Sequence, residues 1–135
     1  MRMTSKGRYA VTAMLDLALH QDGGPITLSA IAERQKISQT YLEQLFGRLR
    51  KAGLVESSRG AQGGYSLAKA LPSISVADIV RAIDEPIDAT SCAGAQNCRQ
   101  GERCITHNLW MELNHVIDQF LSGVTLESLI KRGNA

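Results

Sequence analysis

The sequence has no apolar run approaching the roughly 18 to 20 residues that a membrane-spanning helix needs. Its first residues, Met1-Arg2-Met3-Thr4-Ser5-Lys6-Gly7, lack the charged-then-apolar order of a secretion signal. These two absences argue against a membrane partner and point to the cytoplasm. Also missing are a nucleophile-base pair, a glycine-rich phosphate loop and any substrate-pocket signature, so no enzyme is expected. Cysteine is scarce: Cys92, Cys98 and Cys104 are the only three, an odd number that argues against a disulfide framework in a cytosolic chain. There is no internal repeat and no low-complexity segment. What is present is a chain of 135 residues, 44% apolar, enough for the core of one domain with an appended element.

The net charge of +2 conceals an uneven distribution. Residues 1–69 carry ten Lys and Arg against five Asp and Glu, whereas residues 70–135 carry five against eight. The N-terminal half therefore has an electrostatic reason to meet phosphate.

Apolar periodicity predicts the elements. Val11, Met14, Leu15, Ala18 and Leu19 recur at helical steps between Arg8 and Leu19, and Asp22-Gly23-Gly24-Pro25 ends that helix. Thr27 or Ser29 caps a short second helix, and Gln35-Lys36-Ile37 makes a tight turn before Ser38. In the third helix Leu42, Leu45, Phe46 and Leu49 share one face, and Gly53 stops it. Two short strands, 54–58 and 65–67, flank Arg59-Gly60-Ala61-Gln62-Gly63-Gly64, which is too rich in glycine for a helix interior and reads as a hairpin tip.

Ser75 caps a further helix, which Pro86 prevents from continuing. Residues 85–103 show no apolar periodicity. A long helix then runs from about Cys104 to Leu121, its apolar residues spread over roughly 160° at 100° per residue. That is wider than one packing face requires. Leu109, Trp110, Leu113, Val116, Ile117 and Phe120 are therefore expected to form a dimer interface, with Trp110 as an anchor, and residues 125–130 to form a short closing helix.

Helix, helix, tight turn, helix and glycine-tipped hairpin is the order of a winged helix-turn-helix, in which the last helix enters the major groove. The expected fold is thus mainly α with a small β-hairpin wing. Residues 1–84 are expected to form the DNA-binding domain, 85–103 a loop that carries Cys92 and Cys98, and 104–135 the dimerisation helix and C-terminal segment. The partner is double-stranded promoter DNA.

With Leu42 pointing to the core, Thr40, Gln44, Gly47 and Lys51 point away from it, with Glu43 and Arg48 on the flanks. Gln44 can pair with an adenine edge, Glu43 can accept from cytosine N4, and Thr40 can donate or accept beside them. Gly47 allows a close backbone approach. Arg50, Lys51, Lys6 and Arg8 suit phosphates, Ser38 belongs to the same contact set, and Arg59 at the hairpin tip suits a narrow minor groove.

Cys92-x5-Cys98-x5-Cys104-x2-His107 offers three thiolates and an imidazole. Structural zinc usually takes cysteines two to four residues apart, and two of these gaps are five. Wider spans suit an iron-sulfur cluster, for which mixed sulfur and imidazole ligation is known. Three readings stay open on chemistry alone: an iron-sulfur cluster, zinc, and metal-free thiols that are redox-active or merely buried. His20 and His115 are given no function.

Thr4-Ser5-Lys6-Gly7-Arg8-Tyr9-Ala10-Val11, Tyr41-Leu42-Glu43-Gln44-Leu45-Phe46, Gly63-Gly64-Tyr65 and the Cys3His spacing closely resemble a family of bacterial winged-helix regulators of iron-sulfur cluster assembly genes. The resemblance covers nearly the whole chain. It implies a homodimer with one [2Fe-2S] cluster per subunit, held by Cys92, Cys98, Cys104 and His107 and supplied by the cluster assembly machinery. It also implies two DNA-binding modes, repression of assembly genes by the cluster-bound form and a second site class recognised by the apo form. Thr40, Glu43, Gln44 and Arg59 fall at its DNA-reading positions. The chain ends soon after Ile130, where that family carries a longer polar tail, which leaves a truncated chain as one reading. The rival functions are a nitric-oxide or redox-sensing repressor, an iron-sulfur carrier, and a zinc-stapled interaction module.

Overall fold

The computed structural model describes residues 5–60, 63–83 and 105–133. Its element order is α1 (Ser5–His20), α2 (Leu28–Gln35), α3 (Gln39–Lys51), β1 (Val55–Ser58), β2 (Gly64–Leu67), α4 (Val76–Ala82), α5 (His107–Ser122) and α6 (Leu126–Gly133). Single 3-10 turns at Gln21–Gly23 and Leu71–Ser73 join α1 to α2 and β2 to α4.

Helix α1 is the hub. Ala10, Ala13, Met14, Leu17 and Ala18 are buried at i, i+3, i+4, i+7 and i+8, the stripe of a helix packed on one side. Three of these are alanines, which lets neighbouring backbones approach closely, and α1 touches α2, α3, α4, α6 and β2.

The helix-turn-helix is shaped by its caps. Thr27 Oγ1 accepts from Ala30 N at 3.1 Å to start α2, so Thr27 and not Ser29 is the cap. Helix α2 ends at Lys36, held in the left-handed region at φ 57°, and Ile37 N donates to Ala32 O across the turn. Ser38 Oγ then accepts from Tyr41 N to open α3. At the far end Gly53 takes φ +79°, Leu54 N donates to Leu49 O and Gly53 N to Arg50 O, the reciprocal pair of a Schellman stop. Leu49 and Leu54 are both in the core, which fixes the exit from α3 toward β1.

Strands β1 and β2 pair antiparallel with Val55 opposite Leu67 and Ser58 opposite Gly64. The chain ahead of α2 adds a third backbone to this ribbon, since Ile26 N donates to Tyr65 O at 2.8 Å and Tyr65 N to Ile26 O at 2.7 Å. Gln21 Oε1 also accepts from Leu67 N, at 3.1 Å. The hairpin is thereby fastened to the helical core from behind, and Phe46 meets the Tyr65 ring edge-on at 5.0 Å.

Ser75 and Asp78 form a capping box on α4, and Thr125 and Ser128 exchange the equivalent bonds at α6. The two helix starts lie side by side, with Val76 N donating to Val124 O and Leu126 N to Ile74 O. Leu126 is fully buried in the same cluster as Met14 and Phe46, so the C-terminal helix contributes to the core of the N-terminal elements. Helix α5 begins at His107, with Ile105 and Thr106 in a turn, later than the start near Cys104 that the apolar pattern suggested. None of the helices is long and apolar enough to cross a membrane, among the described residues.

Candidate nucleic-acid interface

Helix α3 is built with two unlike sides. Leu42, Leu45, Phe46 and Leu49 are at most 1% exposed, while Thr40, Glu43, Gln44, Arg50 and Lys51 are all exposed. Thr40 is one helical turn from both Glu43 and Gln44, so the three side chains form one polar patch. The backbone at Gly47 is open, with nothing within 4 Å of where a Cβ would stand.

Two features set the patch in place. Arg50 Nη1 reaches Ser57 Oγ at 3.4 Å and so bridges the end of α3 to β1. Tyr9 meets Tyr41 edge-on, ring centres 5.7 Å apart, which seats the first turns of α1 beside the start of α3. The exposed Arg8 and half-buried Lys6 belong to that turn. Arg59 is exposed where β1 enters the hairpin loop. Ser38 is exposed, and its hydroxyl oxygen serves as the α3 cap.

Arg48 behaves differently from the expectation that it flanks the groove-facing side. Its Nη1 donates to the backbone carbonyl of Ile83 at 2.9 Å, so the guanidinium closes the C-terminus of α4.

A polar cluster that the sequence reading passed over locks α1 to α2. Asp16 is 2% exposed, and Arg34 grips its carboxylate with two bonds, Nε to Oδ2 at 3.0 Å and Nη2 to Oδ1 at 2.6 Å. Gln35 Nε2 donates to Oδ2 at 2.8 Å. Burial by itself pushes the Asp16 carboxyl up, but the hydrogen bonds from Arg34 and Gln35 and the charges of Arg34 and His20 outweigh it and hold the group below its ordinary value of 3.8. The same hydrogen bond raises the Arg34 guanidinium. Because Arg34 and Gln35 form the last turn of α2, directly before Lys36, this cluster holds the end of α2 against α1. A carboxylate at the edge of an apolar stripe was its one sequence signal.

Of the expected metal ligands, Cys92, Cys98 and Cys104 lie outside the described residues. His107 is described: it is the first residue of α5 and the most deeply buried in that helix, 3% exposed. Among the described residues no group of three His, Cys, Asp or Glu side chains is placed to hold a metal ion.

A helix-turn-helix whose second helix is bare and polar on its outer side, followed by a hairpin fastened to the same core, defines a winged-helix DNA-binding regulator. The chain matches the Rrf2 family, described as iron-dependent transcriptional regulator, over residues 3–132. It is 58% identical over 130 residues to the HTH-type transcriptional regulator IscR of Erwinia tasmaniensis, a match covering 96% of this chain and 79% of that protein. To IscR of Xenorhabdus nematophila it is 56% identical over 131 residues, 97% of this chain and 80% of that one. Among solved structures, T. potens IscR superposes with TM-score 0.81 at 40% identity, covering 98% of this chain and 88% of the other. CymR, the global cysteine regulator of B. subtilis, gives TM-score 0.82 at 36% identity, with 98% of each chain covered. The chain belongs to the Rrf2 family of transcription regulators.

Proposed function

We propose that this regulator acts as a homodimer on promoters of iron-sulfur cluster biogenesis genes, its DNA binding set by whether each subunit carries a [2Fe-2S] cluster. The observation that carries the DNA half of this reading is the exposed Thr40, Glu43 and Gln44 patch opposite the buried face of α3. Gln44 is assigned the adenine edge and Thr40 the neighbouring base. Glu43 accepts from a cytosine amino group, and where that donor is missing its charge opposes phosphate, which makes it a discriminator between site classes. Lys6, Arg8, Arg50, Lys51 and the hydroxyl proton of Ser38 take phosphates, and Arg59 enters the minor groove.

The sensing half rests on donor chemistry. Three thiols and one imidazole suit a [2Fe-2S] cluster, and the buried position of His107 at the start of α5 suits an inward-facing nitrogen donor. When bound, the cluster supplies a set of bonds that tie residues 92–104 to the first turn of α5. Two similar relatives bear the name IscR, which favours iron-sulfur over zinc. The cluster comes from the cellular assembly machinery, so occupancy reports its supply. The cluster-bound form represses the assembly genes, and the apo form serves the second class of sites.

The test is titration of labelled promoter DNA with cluster-loaded protein, apo protein and a Cys92→Ala variant. Different affinities of loaded and apo protein at one site class, with Cys92→Ala following the apo protein, are expected. Indistinguishable affinities at every site class would end the sensing reading. Anaerobically purified protein is expected to be brown with matching iron and acid-labile sulfide, and a colourless protein with one zinc per chain contradicts it.

A further inference from the structure

The bond from Arg48 to Ile83 joins two parts of the molecule that otherwise have separate tasks. Arg48 lies on α3, one turn beyond Gln44. Ile83 is the C-cap of α4 and the last described residue before the stretch that carries Cys92, Cys98 and Cys104. At 2.9 Å the guanidinium holds that carbonyl, so the upstream end of the cysteine stretch is anchored on the helix that reads DNA.

Helix α5, which follows the cysteine stretch in the chain, is tied to α4. Arg81, two residues before Ile83, donates to Asp118 of α5 and lies 3.5 Å from Ser122 Oγ. Helix α5 begins with His107. The last turn of α4 is therefore bonded to α5 through Arg81 and to α3 through Arg48.

Resting on the cluster-sensing reading above, we infer that Arg48 is a positioning residue that passes the state of the cluster-bearing stretch to the recognition helix. Displacing Ile83 draws on the Arg48 guanidinium, and through it on the turn of α3 next to Gln44. The buried face of α3 limits the response to a small reorientation, since a packed core does not deform continuously. A purely structural cap of α4 would affect folding stability and leave the two DNA-bound states equally favoured.

The experiment measures DNA affinity of loaded and apo protein for wild type, Arg48→Met and Arg48→Lys, at the site class where the wild-type forms differ. Coupling of this kind typically gives a ratio of about 5- to 150-fold between the two forms. In Arg48→Met, which keeps the stem and loses the donors, the ratio is expected to fall to about 2-fold or less, while Arg48→Lys retains most of it. A wild-type ratio in Arg48→Met overturns the inference. So does an equal loss of affinity in both forms, which identifies Arg48 as a phosphate contact. A wild-type protein with no difference at any site class overturns the sensing reading along with it, so the two failures are distinct.

Discussion

Gln44 and Lys51 stand on the same side of α3 and are expected to fail in different ways. On the proposed assignment Gln44 pairs with one base edge, so the Gln44→Ala protein should lose about 1–3 kcal/mol on its best site and become indifferent to the base at that position. Replacing Lys51 with alanine should weaken all sequences alike and lower the slope of log K against log salt by about 1. Binding isotherms on a panel of single-base operator variants at several salt concentrations separate the two. Asp16 makes a prediction about stability instead. Its carboxyl is held below 3.8 in the folded protein, so the stabilisation is complete above that pH and is lost as pH falls below it, through the lower folded value. Asp16→Asn removes the negative charge and one of the two oxygens that Arg34 and Gln35 share, and is expected to cost about 1.5–3 kcal/mol at neutral pH and to flatten the acid limb of a stability-against-pH curve measured by chemical denaturation. The sequence displayed Gln44 and Lys51 plainly, because helical periodicity alone places them opposite Leu42. It gave little sign of Asp16, whose partners lie on the next helix.

Helix boundaries were legible wherever a local bond decides them. Ser75 and Gly53 are read correctly from chain order, since caps and left-handed stops involve residues three or four apart. The third backbone of the wing was hidden, because the pairing of Ile26 with Tyr65 is set by tertiary packing. That pairing gives Gly64 a role beyond the hairpin tip in which its sequence context places it. A Cβ at Gly64 would lie 2.5 Å from the Ile26 carbonyl oxygen and 2.6 Å from its carbon, both backbone atoms that cannot swing aside. Gly64→Ala is expected to separate the two chains and destabilise the fold by about 1–3 kcal/mol, the range for forced overpacking. Thermal unfolding measures the cost, and faster amide exchange at Ile26 and Tyr65 localises it. An unchanged melting temperature would contradict the role assigned to this close approach. The late start of α5 has a similar lesson: the apolar pattern extends through Ile105, yet Ile105 is 91% exposed in a turn, because periodicity marks which residues are apolar and not where hydrogen bonding begins.

For the whole molecule the question is what covers α5. The broad apolar arc visible in the sequence divides in the fold. Trp110, Leu113, Ile117 and Leu121 are half-buried, whereas Leu109, Val116 and Phe120 remain 54%, 59% and 62% exposed. Leu109, Val116 and Phe120 recur at helical spacing on one side, which makes them a continuous stripe. A second copy of α5 placed about a two-fold axis would cover each stripe with its equal, the self-complementary arrangement of a closed dimer. It would also set two α3 helices against successive half-sites of a palindromic operator. Phe120→Glu tests this without threatening the subunit fold, because the side chain is mostly in solvent. An aromatic buried as an interface anchor typically contributes about 2 kcal/mol or more, and a carboxylate left unpaired in that apolar contact adds a desolvation cost. Sedimentation should therefore show the variant as a monomer at concentrations where wild type is dimeric, with an unaltered helical spectrum. Its affinity for a full operator should fall steeply while its affinity for an isolated half-site stays near that of wild type, since α3 itself is untouched. A Phe120→Glu protein that sediments as a dimer would show that the exposed stripe of α5 is not what joins the subunits.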